Sequence, residues 1–407
     1  MGADRDPVVT GVGALTPLGP DAERTWAALV RGERGVGELT RFDPAATDLA
    51  STIAGEVAFE PAAHEDVDER RTGRYAALAV AAGREALADA ALDPDGSAWR
   101  PERVGMSVGS GMGGFPEAER AIDGGRANPS FALTHLPNLA AGHLGELVGA
   151  EGPTRAPATA CAAGTHAVGE ALRDVRAGRA DVVLAGGTDA PLSPHGVRAF
   201  DAMRALSTRT DDPPAASRPF DADRDGFAIA EGAAVLVVEA REHAVARGAT
   251  PLARLAGFAR TADAHHPTTP PEDARGLRRC MRRALADADR PPAAVDHVNA
   301  HAAGTPRGDS HEATAVRAVF DDPPPVTSVK GAAGHALGAS GAVETAVAVR
   351  SVREGVRPPT ANYETPDPDC DVPVVAEREA ADVDVVVSNS AGFGGVNGTL
   401  VVERVEA

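Results

Sequence analysis

The chain has 407 residues, a formal net charge of −19 at pH 7 and only 3% aromatic residues. Because nucleic acid and anionic membranes are also negatively charged, this charge argues against general binding to either. Its three cysteines have no short spacing, so they form neither a disulfide framework nor a zinc site. We expect a cytoplasmic protein without a signal peptide, with a core of alanine, valine and leucine packed around 44 glycines.

Short valine-rich runs bounded by glycine alternate with longer segments of alanine, leucine and arginine, which predicts a layered α/β protein. In the first part of the chain, the predicted strands lie within residues 6–17, 103–114, 180–187 and 232–240. In the second part, they lie within residues 295–304, 324–331, 382–395 and 398–405. We therefore expect two similar halves, residues 1–250 and 251–407, although no clean sequence period connects them.

Cys161 comes just before a segment with helical periodicity. The apolar residues of that segment stand at positions 163, 167, 168, 171, 172 and 175, which predicts a helix that begins close to the cysteine. Unpaired N–H groups at a helix N-terminus favour a thiolate, so we predict a lowered thiol pKa. Small neighbours would let a slender substrate reach the sulfur. Cys280 and Cys370 are interpreted as core residues, because free cysteines are usually small buried side chains.

Two of the twelve histidines stand in small-residue loops at the end of a strand or the start of a helix. These are His301, in "HVNAHAAGT", and His335, in "KGAAGHALG". A lone histidine is more often structural, but two in similar settings beside a cysteine at a helix start indicate a catalytic group. Zinc binding by the pair is disfavoured, because no ligand spacing near either histidine supports it. The only lysine of the chain, Lys330, comes five residues before His335.

The motifs around these residues resemble the β-ketoacyl-acyl-carrier-protein synthases, especially the ketoacyl synthase II group and the type II polyketide ketosynthases. The matching stretches span nearly the whole chain and include VVTGVGALTPLG, TACAAGTHAVG, DVVLAGGTDA, VNAHAAGTPRGD, VTSVKGAAGHALGASGAVE and SNSAGFGGVNG. The resemblance implies a duplicated thiolase-like fold, which is a five-layer α-β-α-β-α arrangement and is normally dimeric.

The same resemblance implies a decarboxylating condensing enzyme. Cys161 would accept the acyl chain, and His301 and His335 would assist its condensation with malonyl carrier protein. Lys330 matches the active-site lysine of the family, and Glu344 matches its carboxylate partner. A compact ammonium with three donors suits a tight buried network, whereas a planar guanidinium needs a wider slot. This difference explains why a chain rich in arginine would keep one lysine.

Further roles follow from the resemblance alone. The backbone N–H groups of Cys161 and Phe393 match the oxyanion hole, Phe393 also matches a mobile gate, and Thr305 matches the pantetheine site. Three residues match the acyl pocket, the last of them across a dimer interface: Met112, Phe200 and Phe131. Four arginines match the docking surface for an acidic acyl carrier protein: Arg70, Arg71, Arg126 and Arg204. The implied partners are this carrier protein and a second subunit, identical or homologous. No metal is implied, and no cofactor beyond the carrier's 4'-phosphopantetheine.

The chain departs from the family pattern close to these residues. His-Gly-Thr-Gly-Thr becomes "HAAGT", with Ala302 and Ala303, and the usual hydroxyls between Lys330 and His335 are missing. Ala391 and Val396 replace a phenylalanine and a threonine of the gate motif. These changes put pantetheine affinity and chain-length selectivity in doubt. They favour a role in type II polyketide or other secondary-metabolite synthesis over housekeeping fatty-acid elongation.

Other functions remain open at this point. A non-catalytic chain-length partner of an active ketosynthase would have a similar fold, but such partners usually lack the nucleophile that Cys161 supplies. An acyltransferase without condensation would need only Cys161 and its oxyanion hole. A thiolase-like degradative enzyme would need a second cysteine as base, and neither Cys280 nor Cys370 lies in a glycine-rich loop suited to that role.

Overall fold

The computed structural model describes residues 5–94, 99–125 and 129–405. Its strands, in chain order, are β1 (Pro7–Leu15), β2 (Val36–Glu38), β3 (Ile53–Gly55), β4 (Val104–Gly109), β5 (Thr154–Arg155), β6 (Val182–Asp189), β7 (Gly232–Ala240), β8 (Ala253–Ala262), β9 (His297–Asn299), β10 (Val326–Thr327), β11 (Val356–Arg357), β12 (Glu379–Ala380), β13 (Val385–Gly392) and β14 (Val396–Glu403). Its helices are α1 (Ala22–Val30), α2 (Arg74–Asp89), α3 (Phe115–Asp123), α4 (Phe131–His135), α5 (Leu139–Val148), α6 (Ala163–Arg176), α7 (Pro194–Asp201), α8 (Arg241–Ala246), α9 (Arg275–Asp287), α10 (Pro306–Val319), α11 (Lys330–Ala333) and α12 (Ser340–Glu354).

The main strands form one continuous ten-stranded arrangement, which consists of two five-stranded mixed sheets with the same topology. The first has the order β5-β4-β6-β7-β1, and the second has the order β10-β9-β13-β14-β8. In each sheet the first strand along the chain pairs antiparallel with the last, and the three strands at the far side are parallel. A short antiparallel contact between β1 and β8 joins the sheets. The repeated topology confirms the predicted duplicated fold.

Five layers follow from how these sheets are covered. Helices α6 and α12 lie between the sheets, and their valine, alanine and leucine side chains form one core with strands of both. Helices α2 and α5 cover the outer face of the first sheet. Helices α9 and α10 cover the outer face of the second. Strands buried on both faces are expected to be almost continuously apolar, which β1, β6 and β7 are.

Glycines bring the two central helices close together. A Cβ atom on Gly164 of α6 would lie 2.8 Å from the backbone nitrogen of Ala342 in α12. A Cβ atom on Gly341 would lie 2.1 Å from the hydroxyl of Thr165. Both distances are too short for a real side chain, so glycine is required at this crossing. Since α6 follows Cys161 directly, and the loop holding His335 leads into α12, this close packing fixes the sulfur relative to that histidine.

The eight strands predicted from valine runs are all present. Among the described residues, six strands were not predicted: β2, β3, β5, β8, β11 and β12. The longest of them is β8, where Arg254 and Arg260 interrupt the apolar pattern. Arg254 is accommodated because its guanidinium pairs with Asp6 at 2.6 Å and with Glu403 at 2.8 Å. Within the part of the chain that the structure describes, no helix has the length and apolar character needed to cross a lipid bilayer.

Candidate active site

Cys161 occupies the turn that the sequence predicted, in a short 3-10 helix (Ala160–Ala162) that leads directly into α6. Its side chain is half-buried. The predicted lowering of the thiol pKa is wrong. Burial raises the pKa of the Cys161 thiol to about 12, although the ammonium of Lys330 acts in the opposite direction. Loss of hydration outweighs the helix terminus and the nearby positive charge, so the resting group is a thiol.

A cavity of about 510 Å³ contains Cys161, His301 and His335 together. Phe200, Phe227 and Leu337 form apolar parts of its wall. Thr305 and Phe393, which the resemblance assigned to the pantetheine site and the gate, line the same cavity. Side chains from both halves of the chain therefore meet around one sulfur.

The two histidines face each other across this cavity. Their ring centroids are 5.3 Å apart, with the planes at 83°. Nδ1 of His335 lies 2.9 Å from the hydroxyl of Ser340, and Phe227 packs against the ring. Burial lowers the pKa of His301 and of His335 well below the usual value, and the Lys330 charge adds to this effect. Both imidazoles are therefore uncharged at neutral pH. A Ser340 hydroxyl that donates to Nδ1 leaves the proton of His335 on Nε2.

Glu312 fixes the loop that carries His301, and the sequence analysis missed it. Its carboxylate accepts hydrogen bonds from the backbone N–H groups of His301 at 3.0 Å and Ala302 at 2.7 Å. Asn389 donates to the same carboxylate at 3.2 Å. The available signal was an acidic residue on α10, six residues after that helix begins at Pro306, just beyond the glycine loop. Only the fold brings this carboxylate back beneath the histidine loop.

Lys330 and Glu344 form a buried ion pair behind the histidines. Their side chains are 1% and 0% exposed, and the ammonium donates to Oε1 of the carboxylate. Burial raises the pKa of Glu344 to about 7, while Lys330 opposes this shift. The void beside the pair is only about 10 Å³. The space around Lys330 therefore matches an ammonium and has no room for a larger cationic head.

Asp189 holds together the glycine loops near the sulfur and was also missed. The fully buried carboxylate accepts N–H bonds from Gly111 at 2.8 Å, Met112 at 3.0 Å and Gly338 at 2.6 Å. It also accepts a bond from the Ser110 hydroxyl at 2.6 Å. Its place at the end of β6, within the motif "AGGTDA", was visible in the sequence, but its partners come from two distant loops.

Some of the remaining predicted residues lie at the cavity, and others do not. The rings of Phe200 and Phe393 are 6.3 Å apart at the cavity, and Met112 packs on the same apolar cluster as Phe200. Arg204 lines the cavity as well. Four of these predicted residues do not line the cavity: Met112, Arg70, Arg71 and Phe131, which stacks on His135. Arg126 lies outside the described residues.

Two family models match the chain in succession. Residues 4–244 match the N-terminal domain of β-ketoacyl synthases, and residues 252–364 match their C-terminal domain. The chain belongs to the β-ketoacyl synthase family. It is accordingly a ketosynthase, an enzyme of the acyltransferase class.

Relatives that share one name match this synthase over 98–100% of its length. It is 41% identical to a 3-oxoacyl-[acyl-carrier-protein] synthase 2 of Coxiella burnetii, with 98% of each chain covered. It is 40% identical to the protein of the same name from Staphylococcus aureus, with 100% of each chain covered. The predicted family is therefore confirmed by sequence.

Solved structures with the same fold include enzymes of polyketide synthesis. One is a type II polyketide ketosynthase in complex with its acyl carrier protein, at 32% identity and a TM-score of 0.89. Another is the ishigamide ketosynthase/chain length factor, at 33% identity and a TM-score of 0.91. A β-ketoacyl synthase from Burkholderia phymatum shows 34% identity and a TM-score of 0.91. In all three, 99% of this chain and 100% of the other are covered.

The high thiol pKa gives a direct prediction for alkylation of the synthase. Because thiolate is the reactive form, the rate of iodoacetamide reaction at Cys161 should rise roughly tenfold per pH unit from pH 7 to 9 without a plateau. Peptide mapping by mass spectrometry measures this rate. Cys280 and Cys370 are buried and serve as internal references that stay unmodified in the folded protein. A plateau below pH 8 would show that the thiol ionises far more easily than its burial indicates.

Proposed function

We propose that this synthase condenses an acyl chain held on Cys161 with a malonyl unit delivered by an acyl carrier protein, with loss of carbon dioxide. The observation that carries the proposal is that the sulfur shares one cavity with two uncharged imidazoles whose rings are 5.3 Å apart. A nucleophile and two neutral N–H donors at one cavity are what the two half-reactions require. The relatives named above support it, since their names describe carrier-protein-dependent 3-oxoacyl synthesis.

In the first half-reaction, the sulfur of Cys161 attacks the thioester carbonyl of the incoming acyl carrier. A carbon–sulfur bond to Cys161 forms, the bond to the pantetheine sulfur breaks, and the thiol proton of Cys161 ends on the departing pantetheine thiol. Negative charge develops on the carbonyl oxygen, and the N–H groups of Cys161 and Phe393 would bind it. Removal of one such donor typically costs about 3–4 kcal/mol of barrier.

In the second half-reaction, malonyl carrier protein loses carbon dioxide as its carboxylate carbon–carbon bond breaks. The resulting enolate attacks the acyl carbonyl, a new carbon–carbon bond forms, and the carbon–sulfur bond to Cys161 breaks. The sulfur leaves as a thiolate and takes up one proton from water. His301 and His335 would donate N–H bonds to the enolate oxygen. Neutral imidazoles suit this role, because a protonated ring would transfer its proton to the enolate and stop the reaction.

Lys330 and Glu344 act through the histidines in this proposal. The buried pair keeps a positive charge close to both rings, which favours their uncharged form and stabilises an enolate between them. Glu312 positions His301 through its backbone, as described above. These residues shape the electrostatics of the cavity, whereas Cys161 and the two imidazoles touch the reacting atoms.

Substrate delivery involves further residues that the resemblance implied. Thr305 would bind the pantetheine arm; its hydroxyl accepts the cap N–H of Gly308 at 3.2 Å and can still donate. Met112 and Phe200 would line the acyl pocket, with Phe131 completing it from a second subunit. Arg70, Arg71, Arg126 and Arg204 remain the proposed carrier contacts. No cofactor beyond the carrier's phosphopantetheine is proposed, and the division into units near residue 250 and a cytoplasmic location remain proposals as well.

We further propose a pathway of polyketide or other secondary-metabolite type. Ala391 lines the cavity beside Phe393, where the family pattern has a phenylalanine, and this leaves more space next to the gate. Ala303 likewise replaces the larger, polar threonine of the family pattern near His301. A wider cavity suits bulkier acyl chains than unbranched fatty-acyl groups. The second subunit is either an identical chain or a homologous chain-length partner.

Intact mass spectrometry with acyl and malonyl carrier proteins tests the proposal. We expect an acyl adduct on Cys161, followed by a β-ketoacyl carrier product two carbons longer. An adduct without extension would indicate an acyltransferase that does not condense. The absence of any adduct would indicate a non-catalytic partner subunit. Comparing the condensation rates of poly-β-ketoacyl and fatty-acyl substrates in the same assay tests the proposed pathway.

The contact between Ser340 and His335 yields a separate prediction. Ser340→Ala removes the hydroxyl that keeps the His335 proton on Nε2, so the condensation rate should fall about five- to tenfold, the worth of about one hydrogen bond. Acylation of Cys161 should change less than twofold, because that step does not use the ring. Single-turnover assays separate the two steps. If both rates fall equally, Ser340 supports the fold rather than the imidazole.

A further inference from the structure

Two arginines at the cavity lack the carboxylate partners that neighbouring arginines have. Arg204 and Arg307 both line the cavity and are exposed. Nearby, Arg218 pairs with Asp221 at 3.1 Å, and Arg224 pairs with Asp367. Within residues 5–94, 99–125 and 129–405, no carboxylate oxygen lies within 4.0 Å of a guanidinium nitrogen of Arg204 or Arg307. In a chain with a net charge of −19, two unpaired cations at one opening require an explanation.

The backbone under Arg307 is held rigidly in place. Arg224, which is 8% exposed, donates to the carbonyl oxygen of Thr305 at 3.3 Å and to that of Pro306 at 2.9 Å. Asp309 accepts the N–H groups of Gly304 and Thr305. The first turn of α10 is thereby fixed from both sides. Arg307 consequently presents its charge from a defined position, which is the condition for specific binding rather than for a solvated surface charge.

Burial increases from these arginines toward the sulfur. Arg307 and Arg204 are exposed, Thr305 and Cys161 are half-buried, and His335 is 2% exposed. A pantetheine thioester has the matching order of groups, with the thioester at one end, amides in the middle and a phosphate at the other end. With the thioester at Cys161 and an amide at Thr305, the phosphate comes out at the exposed rim.

The acidic residues of the same cavity wall are already engaged. Asp225 accepts bonds from the backbone N–H and the hydroxyl of Thr208, at 3.1 and 3.3 Å. Asp309 faces the backbone of the Gly304 loop and Arg224. Asp263 accepts a bond from the side-chain amide of Asn397 at 2.8 Å, and Glu312 accepts the N–H groups of the His301 loop. None of these four carboxylates pairs with Arg307. An incoming phosphate would meet two free guanidinium groups, whose planar donors match phosphate oxygens.

We propose that Arg307, together with Arg204, binds the phosphodiester that joins the pantetheine arm to its carrier protein. The inference rests on the proposed function and adds a residue to it, because Arg307 was not assigned to docking by any resemblance. Arg307 is a binding residue for the anionic end of the arm and takes no part in the bond changes at Cys161.

The test uses two thioesters of the same acyl chain, hexanoyl-4'-phosphopantetheine and hexanoyl-pantetheine, which differ only in the phosphate. The readout is the ratio of their kcat/KM values for acylation of Cys161. In Arg307→Ala we expect this ratio to fall five- to tenfold, and in Arg307→Lys to recover partly because a point charge remains. Arg353→Ala, which removes an exposed arginine at the last turn of α12, serves as the matched control and should leave the ratio unchanged.

A second readout needs no turnover. Free 4'-phosphopantetheine should protect Cys161 from iodoacetamide better than pantetheine does, and Arg307→Ala should abolish the difference. An Arg307→Ala ratio within twofold of the unsubstituted synthase, or equal protection by both compounds in that synthase, would overturn the proposal. Failure of the unsubstituted synthase to accept acyl groups from any thioester, with phosphate-dependent protection still present, would instead contradict the proposed function alone.

Discussion

Replacing Cys161 with alanine is expected to abolish acyl transfer completely while the loss of carbon dioxide from malonyl carrier protein continues. In the proposed mechanism the sulfur is the acceptor in the first half-reaction, and no other described cysteine lines the cavity with His301 and His335. In the same proposed mechanism, decarboxylation needs only the two imidazoles and the charge of Lys330. Both histidines keep their contacts when the thiol is removed, because neither ring depends on a hydrogen bond to it.

Carbon dioxide release and acyl adduct formation are measured in parallel for this variant. Cys280→Ala and Cys370→Ala are the matched controls, since they remove the two other thiols, which are buried in the core of the second half. These controls should retain both activities at some cost in stability, about 1–2 kcal/mol for a small cavity. Acyl adduct formation by Cys161→Ala would refute the assignment of the nucleophile. Loss of decarboxylation together with acylation would refute the assignment of separate roles.

Lys330→Arg is expected to reduce condensation at least about a hundredfold while the fold is kept, the size of effect seen when one transition-state donor is lost. The reason is steric. The ammonium sits with Glu344 beside a void of about 10 Å³, and a guanidinium would have to displace the carboxylate or the His335 loop. Such overpacking costs about 1–3 kcal/mol, which a chain of this size can tolerate.

Lys330→Met is the companion variant, because it keeps the length of the side chain and removes the charge. Glu344, whose pKa is already raised to about 7, would then bind a proton at neutral pH rather than remain as an isolated buried anion. We expect this variant to lose condensation as well and, since Lys330 lowers the pKa of Cys161, to react more slowly with iodoacetamide at pH 8. Arg353→Lys is the matched control, because it exchanges one cation for another at an exposed position of α12 and should leave condensation unchanged. Full turnover by Lys330→Arg would remove the steric argument.

The proposed catalytic group could be predicted from local pattern because each member has a local signal. Cys161 precedes a helical periodicity, and His301 and His335 each stand in a small-residue loop. The positioning residues have no such signal. Glu312, on α10, accepts hydrogen bonds from the loop that carries His301. Asp189 accepts hydrogen bonds from N–H groups of two loops that lie 78 and 149 residues away along the chain. Contacts of that kind depend on how the layers pack and cannot be predicted from spacing.

The thiol pKa shows the same limit in energetic terms. The helix start beside Cys161 is a local property, and it favours the thiolate as predicted. The degree of burial is a global property, set by the packing of both halves around the cavity. Loss of hydration raises the thiol pKa by more than the helix terminus lowers it. The direction of the pKa shift was therefore decided by tertiary structure.

By itself, the sequence determined the layered α/β class and most of the main strands, and it singled out the cysteine and the two histidines that meet at the cavity, because periodicity and the placement of glycines are local properties of the chain. Tertiary structure alone decided which distant carboxylates support those residues, how strongly the sulfur is desolvated, and which arginines stand unpaired at the cavity opening. These properties arise from long-range packing and from the dielectric environment it creates, and neither is encoded in any short stretch of chain.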